Sequence, residues 1–592
     1  MPELLARRDV DFLLYEWLDV TALTARSRFA EHSKETFDAV LDLSADLAEK
    51  YFAPHNKLSD ANEPTMRPDG TVQIIGEVRT ALQAFTEAGM MAGEFDERLG
   101  GMQLPSTVAR AAMAWFHAAN IATAGYPFLT IANANLLAHH GSEQQVNDYV
   151  RPMLEGRYFG TMCLSEPQAG SSLADITTRA VPQADGTYRL FGTKMWISGG
   201  DHELSENIVH LVLAKAPGGG AGVKGISLFI VPKYLPGQGE RNDVALMGLN
   251  HKMGCRGTTN TMLAFGDGTY TPQGSAGAIG FLVGEEHRGL SYMFHMMNEA
   301  RIGVGFAATA LGYVAYLKSL EYAKVRTQGR PAGAKDAVAP VPIVEHADVR
   351  RMLLAQKSYV EGALALVLYC ARLVDEQTTA ESDAAREAAL LLDVLTPVTK
   401  SWPSEWCLRA NDLAIQVHGG YGYTRDYDVE QHYRDNRLNP IHEGTTGVQG
   451  LDLLGRKVTM ADGAGLRLLG TRIAATVERA VRCGGDIELH ARHLAAVWSA
   501  LVAVTDRLTS VGEPAVGLAN STPYLQAFGH TVLAWLWLEQ LLAVGTKQGA
   551  FYDGKRQAAR YFFVYELPSV TTTLNILSML DTTVLDTDPA WL

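Results

Sequence analysis

The chain has little cysteine, and none of it is paired. Its 592 residues hold five, Cys163, Cys255, Cys370, Cys407 and Cys483. No two of them form a CxxC pair or a metal-ligand spacing. That excludes a disulfide framework and a zinc module, and fits reduced thiols in a cytoplasmic protein. A basic excess is also missing: Lys and Arg number 51 against 65 Asp and Glu, a net charge of −14. This argues against a nucleic-acid binder, which needs a basic surface, though local arginines can still meet an anionic ligand. No apolar run reaches the ~18 residues of a membrane span. The nearest, Val532 to Val544, is broken by Glu539 and Gln540, so no integral membrane segment is expected. At the N-terminus, charges flank a run too short for a signal peptide. His346, His418 and His432 make no metal triad by spacing, so no metal is expected. The glycine-rich stretch Gly218 to Gly225 lacks the following helix of a Walker or Rossmann loop. There is no internal repeat and no low-complexity tract.

What remains is ordinary globular composition, 47% hydrophobic and 20% charged, long enough for roughly three to five domains. Residues 1–158 read as helices. Phe37, Val40, Leu41, Leu47, Ala48 and Tyr51 recur near helical period, with Ser33 as N-cap and Pro54 beyond the end. Residues 80–92 and 105–140 are also helix-like, and Phe95 to Leu104 is a loop. From Tyr158 the texture turns to short apolar runs between Gly- and Pro-rich loops. Thr178–Val181 and Tyr188–Phe191 around Asp185-Gly186 predict a hairpin. Ile208–Ala214, Ile226–Val231, Met262–Phe265 and Phe281–Val283 are further strands, so 159–284 is a compact β-domain. Helices return in 285–457. Val349, Met352, Leu353, Val360, Leu364, Val367 and Ala371 share one face, and a second long helix runs from about Pro397 to His418. Gly329 to Pro342, with three prolines, is a loop or arm. In 458–592, Leu525, Phe528, Val532, Trp535, Leu538 and Leu542 make one helical stripe, a core face or, alternatively, a membrane-facing one.

Four segments carry the chemistry. In Asn439-Pro440-Ile441-His442-Glu443-Gly444-Thr445-Thr446 a carboxylate sits on a loop beside apolar groups and before a glycine. Dehydration there raises its pKa and makes it a general base. Met162-Cys163-Leu164-Ser165-Glu166-Pro167-Gln168-Ala169-Gly170-Ser171-Ser172 is a strand end running into a hydroxyl-rich turn, able to hold a polar ring edge or an anion. Lys194-Met195-Trp196-Ile197-Ser198-Gly199-Gly200 places an indole where a planar ring can stack. Asn298-Glu299-Ala300-Arg301 lies on a helix.

Together, over roughly residues 35–457, these segments resemble the acyl-CoA dehydrogenase family. The likeness lies in its Glu-Gly-Thr loop after a Gly-Gly-x-Gly turn, its Ser-Glu-Pro-x-Ala-Gly-Ser flavin signature and its Lys-x-Trp-Ile-Ser segment. The tail resembles the extra helical domain of the larger members. The resemblance implies an α+β fold: an N-terminal helical domain, a middle β-barrel-like domain, a C-terminal four-helix bundle and an extra C-terminal helical domain. It implies FAD held by Ser165, the backbones of Met162 and Leu164, Trp196, Ile197 and Ser198. Arg326, in Tyr322-Ala-Lys-Val-Arg326, would pair with pyrophosphate, and Gln416, Gly419 and Gly420 would reach the neighbouring subunit's flavin. Thr445 would also touch cofactor. Two positions depart from the pattern: Gly329 replaces a usual Phe, and Gly447 a usual polar residue. Ser171, Asn298 and Arg301 would serve the substrate. Some relatives carry the catalytic Glu on the 298–301 helix, but the matching position is Ala300, and Glu299 is rotated by ~100° from it.

The implied activity is an FAD-dependent acyl-CoA dehydrogenase acting on a medium- or long-chain fatty acyl-CoA. Glu443 would be the α-proton base, electrons would pass to an electron-transfer flavoprotein, and the protein would be a homodimer. The open alternatives are an acyl-CoA oxidase, a dehydrogenase of a sulfur-containing propionyl-CoA, and a non-enzymatic DNA-associated flavoprotein of the same fold.

Overall fold

The computed structural model describes residues 3–237, 239–333 and 339–592. The chain divides into two compact units. One comprises Asp42–Leu104 and Ala119–Ala300; the other comprises the segment up to Leu41, Pro105–Ala118 and Arg301–Leu592.

The first unit is built on a β-structure. Thr65–Met66 (β1) and Val72–Gln73 (β2) form a small antiparallel pair. Eight more strands make one sheet: β3 (Tyr158–Cys163), β4 (Arg179–Pro182), β5 (Tyr188–Ser198), β6 (Asn207–Lys215), β7 (Ile226–Pro232), β8 (Val244–Leu249), β9 (Asn260–Phe265) and β10 (Ala278–Leu282). Their order is β10-β7-β6-β4-β5-β9-β8, with β3 parallel to β6. β10 also pairs with β5, so the sheet closes on itself. The hairpin expected around Asp185-Gly186 is β4–β5. The runs in β6 and β7 are apolar on both faces because both are covered. Val212, Ala214, Phe229 and Val231 fill the barrel with Ile197 and Leu263. Val209, Leu211, Leu228 and Ile230 pack outward under Leu136, Leu137, Tyr149 and Met293. Such two-sided burial replaces alternation by continuous hydrophobic sequence. β8 was not expected; its Met247 and Gly248 interrupt the pattern where the register shifts.

The second unit is helical. The helices Ala347–Thr379 and Ser382–His418 lie side by side with the Gly289–Val325 helix, where Gly305 and Gly312 meet Thr399 and Cys407 so closely that a Cβ would clash. The Ser382–His418 helix starts well before the expected Pro397. Pro397 and Pro403 lie inside it, because burial of Val394, Leu395 and Val398 outweighs the ~3 kcal/mol an interior proline costs. The long helix Ser106–His140 is interrupted at Asn120, which leaves helical geometry.

Residues 458–592 fold as further helices within this unit, mainly Met460–Cys483, Gly485–Thr509, Ser521–Val544 and Ala550–Tyr561. The expected stripe is a core face: Leu525, Phe528, Val532, Trp535 and Leu538 are buried. The Ser521–Val544 helix also buries Leu533, Leu536 and Trp537 on its other side, because helices cover it all round. It is long and apolar enough to cross a membrane, but 83% of that stretch is buried within the protein, as for a core helix. Trp537 donates to the Ser358 carbonyl at 3.3 Å, and Lys555 meets both Asp9 and Glu361 in a buried ion cluster. In the 329–342 segment, Gln328 and Gly329 hydrogen-bond to Val341; residues 334–338 lie outside the described residues.

Candidate active site

In the first unit the two predicted ring-holding segments meet. The Met195 N–H donates to the Ser165 carbonyl at 3.0 Å. Beneath them lies a buried pair, Lys194 and Glu166, 3.0 Å apart and at most 1% exposed. Glu166 also accepts from the backbone N–H and hydroxyl groups of both Thr177 and Thr178, at 2.6–3.0 Å. Burial alone would raise its pKa, but the Lys194 ammonium and these donors hold it down at about 2. Lys194 donates in addition to the Leu164 carbonyl at 3.0 Å. Glu166 is therefore a clamp on the turn.

Above the clamp, Trp196 sits at a bulge between Lys194 and Ile197, with φ +65° and 60% of its surface exposed. Left-handed backbone at a bulky residue costs energy and persists where the surroundings enforce it, commonly at functional positions. The bulge turns the indole outward while Ile197, 2% exposed, faces the barrel core. Ile197 thus offers no side chain to a surface-bound ring. Ser198 accepts from Asn260 at 3.1 Å, which leaves its hydroxyl hydrogen to donate. Met162 and Ser165 are half-buried and Ser171 is exposed. An open indole flanked by hydroxyls on a rigid turn fits a flat, polar-edged ring such as isoalloxazine. Asn298 is half-buried on its helix. Glu299 is engaged by Asn135 Nδ2 at 2.7 Å.

In the second unit, Glu443 lies between the Val429–Asn436 and Thr446–Asp452 helices. A ladder of amides fixes this loop. Asn411 donates to the Leu311 carbonyl at 2.9 Å, Asn436 to Asn411 at 2.6 Å, and Asn439 to Asn436 at 2.8 Å; His442 pairs with Asn439 at 3.0 Å. Burial holds His442 neutral, its pKa pushed down to about 3. Glu443 itself has φ +54° and is followed by Gly444 at φ +90°. A Cβ on Gly444 would lie 2.5 Å from the Gln449 amide, the group that donates to the Glu443 carbonyl at 3.3 Å. The glycine is required by both conformation and space.

No described side chain hydrogen-bonds to the Glu443 carboxylate. Burial raises its pKa, opposed by the charges of Arg301 and Lys400. Arg301 is itself held by Asp452 at 3.1 Å. Lys400 is 0% exposed, and its Nζ has no hydrogen-bond partner among the described residues. Burial depresses it to about 8. This second cation was missed in the sequence, where it is one lysine in Thr399-Lys400-Ser401; only packing shows that it is buried beside the loop. Thr445 caps the following helix, accepting from the Val448 N–H at 3.3 Å.

Arg326, Gln416, Gly419 and Gly420 are all exposed in this same unit. Arg326 stands 5.9 Å over the Tyr421 ring, so it shares a face with the Gly-Gly turn. Neither glycine has anything within 4 Å of an added Cβ, an open approach for an anion. The departure at Gly329 has a local cause: φ is +71° and the His346 ring is 3.0 Å from an added Cβ.

Comparison with known proteins agrees with this geometry. Family models match along the chain: acyl-CoA dehydrogenase N-terminal domain (34–157), middle domain (161–267) and C-terminal domain (287–458), then an acetyl-CoA dehydrogenase C-terminal-like domain (469–588). The chain is 37% identical to 3-methylmercaptopropionyl-CoA dehydrogenase of Ruegeria pomeroyi, covering 89% of each. It is 34% identical to the broad-specificity linear acyl-CoA dehydrogenase FadE5 of Mycobacterium tuberculosis, covering 98% of each. The fold matches an acyl-CoA dehydrogenase complexed with FAD from Bacillus anthracis with TM-score 0.74 at 20% identity, covering 97% of this chain and 94% of that one. The chain belongs to the acyl-CoA dehydrogenase family of FAD-dependent oxidoreductases.

Proposed function

We propose that the protein removes two hydrogens from Cα and Cβ of an acyl-CoA thioester, with Glu443 as the base. The observation that carries this is a single one. Glu443 is a dehydrated carboxylate to which no described side chain hydrogen-bonds, held in left-handed backbone by an amide ladder and faced by two buried cations. A base needs an unsatisfied lone pair and a raised proton affinity, and this group has both. Arg301 and Lys400 keep it ionised until a proton arrives. FAD, when bound, supplies the acceptor for the β-hydrogen as hydride. Trp196 would lie against the ring, with Ser165 and Ser198 at its polar edge. Arg326, Gln416, Gly419 and Gly420 would meet the diphosphate side of a second subunit's cofactor; their exposure in one chain supports a homodimer. Ser171 and Asn298 would contact the acyl-CoA. Arg301, engaged by Asp452, acts on Glu443 through its charge.

We assign the preferred substrate as a linear medium- or long-chain acyl-CoA, the acceptor as an electron-transfer flavoprotein and the compartment as the cytoplasm. The 37% identity to a thioether propionyl-CoA enzyme favours one second reading, a short sulfur-containing acyl group. Titrating a ladder of straight-chain and thioether acyl-CoAs while following flavin bleaching separates the two. Glu443→Gln should retain FAD and bind acyl-CoA but lose bleaching by ~10²–10⁴-fold. Near-normal rates in Glu443→Gln, with Glu299→Gln inactive, would move the base to the helix.

A further inference from the structure

The backbone that presents Glu443 is unfavourable and thinly held. Glu443 and Gly444 both have positive φ, +54° and +90°, and a glutamate keeps to that region only where its surroundings enforce it. Main-chain bonds close the ends of the loop: the His442 N–H donates to the Leu438 carbonyl at 3.1 Å, and the Thr446 N–H to the Pro440 carbonyl at 3.2 Å. Between them, among the described residues, a single hydrogen bond reaches the main chain of Glu443 or Gly444. It comes from the Gln449 side chain, whose Nε2 donates to the Glu443 carbonyl at 3.3 Å. The same amide lies against Gly444, 2.5 Å from where a Cβ would be. Gln449 is 0% exposed, and its Oε1 has no partner among the described residues. Burying that acceptor costs stability that an apolar side chain of the same length would keep. Packing alone therefore does not account for a glutamine here; its donor does.

We propose that Gln449 is a positioning residue for Glu443. Its bond to the Glu443 carbonyl fixes the Glu443–Gly444 peptide plane, and with it the left-handed backbone from which the carboxylate is aimed. This rests on Glu443 being the base. Gly444 makes the lock necessary. Without a Cβ it accepts positive and negative φ alike, so the peptide ahead of it can turn over unless its oxygen is tied down. The donor itself is firmly placed. The Thr446–Asp452 helix that carries it is capped by Thr445, whose hydroxyl accepts from the Val448 N–H at 3.3 Å. Near its other end Asp452 is held by Arg301 at 3.1 Å. Between these points Gly450 packs so close that an added Cβ would lie 2.8 Å from the Ser521 carbonyl. A helix held at three places thus brings one amide to the Glu443 carbonyl. It secures the side of the loop that the ladder through Asn439 and His442 does not.

The test uses the full-length holoenzyme. Gln449→Met keeps the length of the side chain and removes the donor; Gln449→Asn keeps the amide but is one methylene too short to reach. Both should keep full FAD content and acyl-CoA affinity, yet bleach about tenfold more slowly, since a misplaced base is costly. The acid limb of the bleaching rate should move as well. A carboxylate released from its dry position regains water, so the limb should fall toward the ordinary value of 4.5. A merely structural role would lower the amount of loaded enzyme and leave the limb in place. A wild-type rate in Gln449→Met overturns the proposal, and so does a slower rate with an unmoved limb. If Gln449→Met fails to load FAD, Gln449→Asn decides by the same two readings, and loss of FAD from both overturns the proposal by making Gln449 structural. Failure of the base assignment is separate: it shows as normal turnover in Glu443→Gln, whatever Gln449 does.

Discussion

Glu166 and Glu443 are the same residue type, each facing cations, with opposite fates. Around Glu166 the barrel turn supplies Lys194 in direct contact and donors from Thr177 and Thr178; its pKa falls to about 2. Around Glu443 there are dehydration and the charges of Arg301 and Lys400 but, among the described residues, no side-chain hydrogen bond, and its pKa rises. Donors in contact decide between the two. A carboxylate whose lone pairs are all used becomes structure, whereas one that is dry and unsatisfied is left for chemistry. The buried cations differ in the same way: Lys194 donates to Glu166 and to the Leu164 carbonyl, and Lys400 Nζ has no acceptor among the described residues.

The comparison can be broken most strongly at Glu166. Glu166→Gln leaves the Lys194 charge buried without its partner, which should cost ~3–5 kcal/mol of stability, seen as a lower thermal midpoint and loss of FAD. An unchanged midpoint would show that the clamp is dispensable. The pH dependence has a definite sign. Because its folded pKa is depressed, the Glu166 contribution is complete above the ordinary value of 4.5 and is lost as pH falls toward about 2.

Lys400→Met sharpens the other half. Removing a cation from a dry carboxylate raises the carboxylate's pKa, so the acid limb of the kcat/KM profile should move upward by roughly one pH unit, and Lys400→Arg should restore it. An unmoved limb would mean that Lys400 does not act on the base. The smallest effect is expected at Glu299, tied to Asn135. Glu299→Gln should change turnover by no more than about twofold, equivalent to ~0.5 kcal/mol; a large loss would reopen its claim to be the base.

Local chemistry was the legible part of this chain. The Asp185-Gly186 hairpin, the apolar runs of β6 and β7 and the Gly-rich Glu443 loop announce themselves through turn residues and pattern. What stayed hidden depends on packing. The Ser382–His418 helix runs through two prolines that argue against it locally. The Ser521–Val544 stripe is buried all round because helices distant in sequence enclose it. At the site, Glu443 was legible from Ile-His-Glu-Gly-Thr. Lys400 was not, since burial without a partner leaves no mark on local sequence. The left-handed backbone at Trp196 was also invisible, because a bulge is a property of strand pairing.

The most direct measurement is an infrared titration of the Glu443 carboxyl, read as the difference between wild type and Glu443→Gln in the FAD-loaded protein and followed beside the pH dependence of flavin bleaching. The account predicts a carboxyl that takes up its proton at a pH above the ordinary 4.5, with bleaching lost along the same curve as pH falls. A carboxyl still ionised below that value, or bleaching that persists after Glu443 is protonated, would contradict it.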